Sequence, residues 1–257
     1  MDPKTARLLL WLPVSLFTAF AFFHLTGVLA GAAIGHDTPD RTRVVLWIVQ
    51  LVGLGLPCAA AIRVLRPSPG DLGLPPPAAP VLLLSVLFVA GLWVPLWATD
   101  SLRARILTDE DRETLFQDLT TPGIGGVAAV AAVIAVLPAL TEELAFRGIL
   151  QPLLTSAWGP LPGIGMTALL FAAFHGSPAQ LVVPFLLGLA LGWLRWRTGS
   201  LWPGVLGHAL HNGVTLWAML SHPDWLGAQP SFPPLPWIAG GAALAAAAAW
   251  TLRRRTR

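Results

Sequence analysis

The chain has few charged residues. Asp, Glu, Lys and Arg make up 11% of its 257 residues, whereas 55% of the residues are hydrophobic. An ordinary soluble domain has roughly 25% charged residues, so this composition argues against a soluble protein and predicts an integral membrane protein. The net charge is only +3, and the basic residues lie at the ends of apolar segments. We therefore expect no nucleic-acid partner, because such basic loops normally orient a membrane protein.

Cysteine is also scarce. Cys58 is the single cysteine, which excludes an intramolecular disulfide framework and a metal site built from several cysteines. The H-E-x-x-H signature of zinc proteases is absent as well. This absence weakens the case for a zinc enzyme without excluding one.

Long hydrophobic runs, in contrast, fill the chain. Eight of them are long or apolar enough to cross a bilayer core of about 30 Å. They cover residues 6–34, 44–65, 80–98, 122–154, 163–176, 179–196, 201–221 and 235–252. The sequence therefore predicts an all-α fold, a polytopic transmembrane bundle of about eight helices. Because no internal repeat divides it, we expect one membrane-embedded domain over residues 1–257.

The basic residues predict the orientation of the bundle. Counted from the N-terminus, alternate loops hold ten Lys and Arg on one side and five on the other. Loops rich in Lys and Arg stay in the cytoplasm, so we expect both termini to be cytoplasmic in a bacterial plasma membrane. The first run is too long for the apolar core of a signal peptide, and we interpret it as a retained helix. The polar segment 99–121 is expected to be a solvated external loop, with a gate over a site as the alternative.

Polar and ionisable side chains occur inside the fourth, fifth and seventh apolar runs. They are Glu142, Glu143, Arg147, His175, His208 and Asn212. Burying an ionisable group in lipid costs at least a few kcal/mol, so such residues are kept where something uses them. Because three separate runs contribute, we expect these side chains to converge on one polar chamber inside the bundle.

The two adjacent carboxylates have different neighbours on a helix. Glu143 and Arg147 are four residues apart, so they share a face and are predicted to form an ion pair. Glu142 is rotated by about 100° from Glu143 and is left available to a cavity. A carboxylate in a low-dielectric pocket takes up a proton more readily than one in water. We therefore predict that Glu142 is a general base; the alternative is that all three residues are solvated and inert at the membrane interface.

The histidines and the asparagine complete a set suited to peptide-bond hydrolysis. Glu142 and His175 are predicted to orient and deprotonate a water molecule, while His208 and Asn212 donate hydrogen bonds to the developing oxyanion. Alternatively, His175, His208 and Glu142 hold a divalent metal such as zinc, with water in an open position. The residues alone leave both mechanisms open.

Three motifs on these runs carry a resemblance to a known family. They are Glu142-Glu143-x-x-x-Arg147, Phe171-x-x-x-His175 and His208-x-x-x-Asn212. In this order they resemble the motifs of the CPBP family, the CAAX prenyl protease 2 and bacteriocin-processing group that is also called Abi. The resemblance covers residues 122–221, which we interpret as a CPBP-like catalytic core.

The resemblance implies an intramembrane endopeptidase with an eight-helix bundle and a site that opens towards the cytoplasm and the lipid. By resemblance, the catalytic residues are Glu142, His175, His208 and Asn212, and the supporting residues are Glu143, Arg147 and Phe171. Members are commonly described as metalloproteases, and the resemblance leaves the metal open. Eukaryotic members remove the last three residues after a prenylated cysteine. The implied partner is thus a peptide or protein substrate, lipidated or otherwise associated with the membrane.

Two other functions would use the same polar residues. One is a non-catalytic membrane scaffold or bacteriocin-immunity factor that binds a peptide or a partner helix in the chamber. The other is a proton-coupled transporter, in which buried carboxylates form a relay. A transporter is expected to have paired repeats with broken helices in both halves, whereas the polar residues here lie in one half of the chain.

Overall fold

The computed structural model describes residues 3–35, 38–106, 126–176, 180–226 and 230–256, with only the backbone of residues 3–17. Within these ranges the chain forms nine helical segments and no strand. They are α1 (Pro3–Ile34), α2 (Pro39–Leu65), α3 (Ala79–Ala104), α4 (Gly126–Trp158), α5 (Pro160–Ala173), α6 (Val182–Thr198), α7 (Trp202–Ser221), α8 (Pro223–Leu226) and α9 (Leu235–Arg255). Eight long helices and the single turn α8 confirm the predicted all-α bundle. Most of the expected external loop 99–121 lies outside the described residues.

Four of the described helices, α2, α3, α4 and α9, are long and apolar enough to cross a membrane. Large apolar side chains are exposed on their outer faces, among them Leu56, Leu83 and Trp250. Exposed apolar surface of this extent suits lipid and not water. The protein is thus an integral membrane protein.

The structure differs from the sequence prediction at α5. The predicted span 163–176 is a helix of 14 residues, Pro160–Ala173, whose length is about 21 Å at 1.5 Å per residue. This is shorter than the bilayer core of about 30 Å. The helix packs against α6 and the end of α4. It ends well short of a full crossing, and its C-terminal end reaches the polar chamber.

Glycines on α6 allow its close packing against α5. A Cβ atom at Gly188 would lie 3.1 Å from Ala168 Cα, and one at Gly192 would lie 2.9 Å from Ile164 Cγ2. Gly188 and Gly192 are four residues apart and follow the small-xxx-small pattern of closely packed membrane helices. The pair therefore fixes how near α6 comes to α5.

Three stretches of wide helical turn interrupt α2 and α4. In such a turn the backbone N–H donates to the carbonyl five residues earlier, as it does from Gln151 to Phe146. The stretches are Val49–Leu54, Ala132–Val136 and Leu144–Leu150. Wide turns of this kind are rare in proteins, and those that occur are often located at functional sites. Each of the three contributes at least one polar group to the site described below.

The loop between α2 and α3 packs across the ends of α6 and α7. The Trp202 indole N–H donates to the Leu74 carbonyl at 2.7 Å, and Arg195 donates to the Asp71 carbonyl at 2.7 Å. The hydroxyl and the backbone N–H of Ser68 both donate to the Asp71 carboxylate and lower its pKa from the usual value, and the Arg195 charge acts in the same direction. The loop thereby ties the first turn of α7 to α6.

Candidate active site

A cavity of about 290 Å³ lies between α1, α2, α4, α5, α6 and α7. Its polar lining consists of Gln50, Glu142, His175, His208, His211 and Asn212. The rest of the lining is apolar, with Phe23 on α1, Val49 on α2 and Leu187 on α6. All four side chains predicted to be catalytic therefore face one chamber. Their catalytic roles remain predictions, whereas their convergence is a feature of the structure.

Glu142 is held at the edge of the chamber by an amide from another helix. Gln50 Nε2 on α2 donates to Glu142 Oε1 at 2.9 Å, and the Thr141 hydroxyl donates to Gln50 Oε1 at 2.6 Å. The second carboxylate oxygen, Glu142 Oε2, lies 4.0 Å from His208 Nε2. The Glu142 side chain is 15% exposed, so one of its oxygens is fixed by protein while the other remains accessible to the chamber.

Glu143 points away from the solvent and joins two helices. Its Oε1 accepts from Arg147 NH1 at 2.9 Å and lies 3.1 Å from His208 Nδ1. Because an ionised carboxylate only accepts hydrogen bonds, Nδ1 of His208 carries the proton. Nε2 of the same ring is thereby directed towards Glu142. Glu143 therefore sets both the orientation and the tautomer of His208.

Arg147 is completely buried, and both terminal nitrogens of its guanidinium have hydrogen-bond partners. Besides Glu143, it donates to the Gly188 carbonyl at 3.2 Å, and its guanidinium lies 4.3 Å from the centre of the Phe171 ring. A buried charge needs such a partner, since an unpaired one costs several kcal/mol. The predicted ion pair between Glu143 and Arg147 is present in the structure. Its proposed supporting role is consistent with these contacts on α4, α5 and α6.

Space beside Glu143 is available only because residue 204 has no side chain. A Cβ atom at Gly204 on α7 would lie 2.6 Å from Glu143 Oε2. Real Cβ atoms keep contacts of about 3.5–4.0 Å with neighbouring heavy atoms. Gly204 therefore permits α7 to approach the buried carboxylate closely enough for His208 to reach it.

His175 lies just beyond the helix on which it was expected. The helix α5 ends at Ala173, and His175 belongs to the turn that follows, where its backbone N–H donates to the Ala172 carbonyl at 3.1 Å. Its Nδ1 donates to the Phe171 carbonyl at 3.0 Å. Nε2 is therefore the nitrogen with a free lone pair. His175 is exposed and also lines the chamber, so it lies at the mouth of the chamber.

Phe171 stands between the two histidines of the motifs. Its ring makes edge contacts with His175 and His208, with ring centres 5.2 Å and 5.7 Å apart. Only 1% of Phe171 is exposed. Because edge contacts between aromatic rings are favourable and directional, Phe171 holds both imidazoles from one side while Arg147 covers its face.

Asn212 is anchored to α4 through a backbone carbonyl. Its Nδ2 donates to the Ile134 carbonyl at 3.0 Å. In a regular α-helix this carbonyl would accept from residue 138, but Pro138 has no N–H. The missing N–H of Pro138 thus keeps the Ile134 carbonyl open to the amide of α7. The carbonyl acceptor fixes the amide orientation, and the second N–H of Nδ2 remains for a substrate oxygen.

The described residues do not offer a ready metal site. No three His, Cys, Asp or Glu side chains among them come close enough together to hold a metal ion. His208 Nε2 and Glu142 Oε2 are 4.0 Å apart, whereas two ligands of one zinc ion, each at about 2.0–2.2 Å, are roughly 3.4 Å apart. The predicted ligand set of His175, His208 and Glu142 does not fit a metal in this arrangement, and the reaction steps below use none.

Two residues of the site were missed by the sequence reasoning, Gln50 and Thr141. Gln50 is an uncharged amide in the second apolar run, and it lies outside the three motifs. Gln50 was nevertheless detectable, because a polar side chain in the middle of a membrane span needs a partner. His211, the residue before Asn212 on α7, also lines the chamber, and its Nδ1 makes no hydrogen bond with the described residues.

Comparison with known proteins supports the family resemblance. Residues 124–214 match the family model described as Rce1-like, type II CAAX prenyl endopeptidase. All three motifs lie within the match, which confirms the family recognition made from them. The match supports a protease of the CAAX type that acts on a peptide or protein at the membrane. No curated protein and no solved structure matches the chain.

Proposed function

Because residues 124–214 resemble type II CAAX prenyl endopeptidases, we propose that this protein is an intramembrane endopeptidase. It hydrolyses a peptide bond in a membrane-associated or lipidated peptide by means of an activated water molecule. The observation that carries the proposal is the chamber in which Glu142, His175, His208 and Asn212 meet. These side chains come from α4, the turn after α5, and α7, so their meeting is a product of the fold.

The reacting water is proposed to lie between Glu142 and His208. The 4.0 Å between Glu142 Oε2 and His208 Nε2 is too long for a direct hydrogen bond. It suits one bridging water, which would hydrogen-bond to both atoms. In this arrangement the water donates to Glu142 Oε2 and to His175 Nε2, at the mouth of the same chamber, and accepts from the Nε2 N–H of His208. A water molecule held by two acceptors presents its remaining lone pair to the substrate carbonyl.

The proton and bond changes follow from this placement. The water oxygen forms a bond with the carbonyl carbon, and its proton passes to Glu142. The resulting oxyanion accepts from the free N–H of Asn212 and from His208. When Nε2 of His208 donates, both ring nitrogens carry a hydrogen, and Nδ1 remains hydrogen-bonded to Glu143 Oε1. The carbon–nitrogen bond then breaks, and Glu142 returns the proton to the leaving amine.

The remainder of the chain is proposed to belong to the same catalytic unit. The helices α1 and α2 lie outside the matched segment, yet Phe23 and Gln50 line the chamber together with the motif residues. We therefore propose one membrane-embedded domain, with residues 122–221 as its catalytic core. We also propose that both termini face the cytoplasm of a bacterial cell, because of the distribution of Lys and Arg.

The proposed function is tested with purified protein in detergent and two quenched fluorescent peptides. One carries a farnesylated cysteine three residues before its C-terminus, and the other has the same sequence without the lipid. The parent protein is expected to cleave at least one of them, and Glu142→Gln to lose turnover, because an amide does not take up the proton. Leu140→Ala is the matched control, since Leu140 lies on the same helix and is 42% exposed.

Full turnover in Glu142→Gln would overturn the role of Glu142 as base. Binding of the peptide by the parent protein without any cleavage would instead favour the non-catalytic scaffold. The comparison of the two peptides reports whether the lipid contributes to recognition.

A further inference from the structure

Gln50 lies outside the matched segment and contacts the proposed base directly. It is on α2, 92 residues before Glu142 in the chain, and its Nε2 donates to Glu142 Oε1 at 2.9 Å. Only 9% of Gln50 is exposed. A buried amide in a membrane protein needs partners for both its ends. Here one partner is the carboxylate on which the proposed reaction depends.

The other end of the Gln50 amide is held by the neighbour of the base. The Thr141 hydroxyl lies 2.6 Å from Gln50 Oε1 and also 2.9 Å from the Leu137 carbonyl. Because the Glu142 carboxylate only accepts hydrogen bonds, Nε2 of Gln50 faces Glu142, and Oε1 then faces the Thr141 hydroxyl. The orientation is the one that presents N–H to Glu142. Thr141 and Glu142, adjacent residues on α4, thus hydrogen-bond to the two ends of the Gln50 amide on α2.

The backbone around Gln50 brings its side chain to the chamber. Gln50 lies in the wide turn Val49–Leu54, and its carbonyl accepts from the Gly55 N–H five residues later. A wide turn displaces the following residues around the helix axis compared with a regular α-helix. Across the contact, Glu142 lies between the wide turns Ala132–Val136 and Leu144–Leu150 of α4. Irregular turns therefore surround the Gln50 to Glu142 hydrogen bond.

We propose that Gln50 is a positioning residue for the general base, acting through Glu142 and oriented by Thr141. By holding Oε1, it directs Oε2 of Glu142 towards the water and His208 Nε2. This inference rests on the proposed function and adds a residue from α2 to it. A hydrogen bond to a charged acceptor is expected to change kcat by roughly tenfold to a hundredfold when it is removed.

Two substitutions of Gln50 separate positioning from packing. Gln50→Leu keeps a similar volume but donates no hydrogen bond, and Gln50→Glu keeps the shape but places an oxygen where the N–H was. Both are expected to lower kcat for the cleaved peptide by at least tenfold, while KM changes little, because Gln50 acts on the base. Leu51→Ala is the control: Leu51 is the next residue, is 49% exposed and lies outside the chamber.

A second pair of variants leaves Gln50 in place. Thr141→Val removes the hydroxyl at nearly constant volume, whereas Thr141→Ser keeps it. We expect Thr141→Val to lose kcat and Thr141→Ser to retain it, with similar melting temperatures for the two. This difference is not expected from a role in packing, since serine is the smaller substitute. If Gln50→Leu fails to accumulate, the Thr141 pair decides the question.

The outcomes distinguish this inference from the proposed function. If the parent protein cleaves the peptide and Glu142→Gln does not, then full kcat in Gln50→Leu, or in Thr141→Val when Gln50→Leu does not accumulate, overturns the role of Gln50 alone. A change confined to KM or to the melting temperature also overturns it. Absence of cleavage by the parent protein overturns the proposed function and this inference with it.

Discussion

Replacement of Gly204 by alanine tests the buried network at its tightest contact. The new Cβ would lie 2.6 Å from Glu143 Oε2, and contacts of this kind are normally about 3.5–4.0 Å. Either α7 or the carboxylate must therefore move by roughly 1 Å. Glu143 makes its contacts to Arg147 and His208 at 2.9 Å and 3.1 Å, so a movement of this size breaks at least one of them.

The expected cost follows from two effects. Overpacking of a well-filled core costs about 1–3 kcal/mol, and loss of one partner from a buried charge pair costs about 3–5 kcal/mol. Since the network loosens and is not removed, we expect Gly204→Ala to lower the free energy of unfolding by about 2–4 kcal/mol. Turnover should fall with it, because His208 loses the carboxylate that orients its ring.

Gly213 provides the matched control on the same helix. A Cβ atom at Gly213 would have no heavy atom within 4 Å, so Gly213→Ala should be neutral or slightly stabilising, in line with the helix preference of alanine. Thermal unfolding in detergent and cleavage of the fluorescent peptide are measured for both variants. Equal melting temperatures and equal turnover for Gly204→Ala and Gly213→Ala would refute the close packing of α7 against Glu143.

Three further predictions concern pH, metal and orientation. The pKa of Asp71 is lower in the folded protein than in the unfolded chain. The stability that Asp71 contributes is therefore fully present above the unfolded pKa of about 3.9. It is lost as the pH falls through the lower pKa of the folded protein. The melting-temperature difference between the parent and Asp71→Asn should therefore shrink below about pH 4; an unchanged difference would contradict this sign. Chelator treatment is expected to leave cleavage unaffected, and its complete loss, restored by zinc, would show that the ligands rearrange around a metal. With Cys58 buried, cysteines introduced at Ser68 and Ser221 should react with an impermeant reagent from the cytoplasmic and external sides respectively; the reverse labelling would invert the proposed topology.

Contacts between residues close together on one helix could be predicted from the sequence. Glu143 and Arg147 are one helical turn apart, and this spacing alone predicts the pair found at 2.9 Å. The same reasoning places His208 and Asn212 on one face of α7, and both line the chamber. Buried polar residues on separate helices indicated convergence, because each needs a partner in lipid.

Contacts between distant segments and irregular backbone were not accessible in the same way. Gln50 meets Glu142 across 92 residues of chain, and no spacing rule connects them. The end of α5 at Ala173 depends on a turn, in which Gly176 adopts a φ of +74°, whereas the apolar run of the sequence continues to Phe174. The amino-acid composition does not reveal the wide turns of α2 and α4. The direction in which Gln50 and Arg147 point from their helices therefore could not be predicted from the sequence.

The missing amide hydrogen of Pro138 links the regularity of one helix to the placement of another. A substitution that supplied this hydrogen would let α4 complete its own ladder at Ile134. The Asn212 side chain would then compete for an acceptor that its present partner offers at 3.0 Å. A substitution that makes α4 more regular would in this way weaken the contact between α7 and α4. The irregular backbone of α4 therefore supports the packing of the bundle.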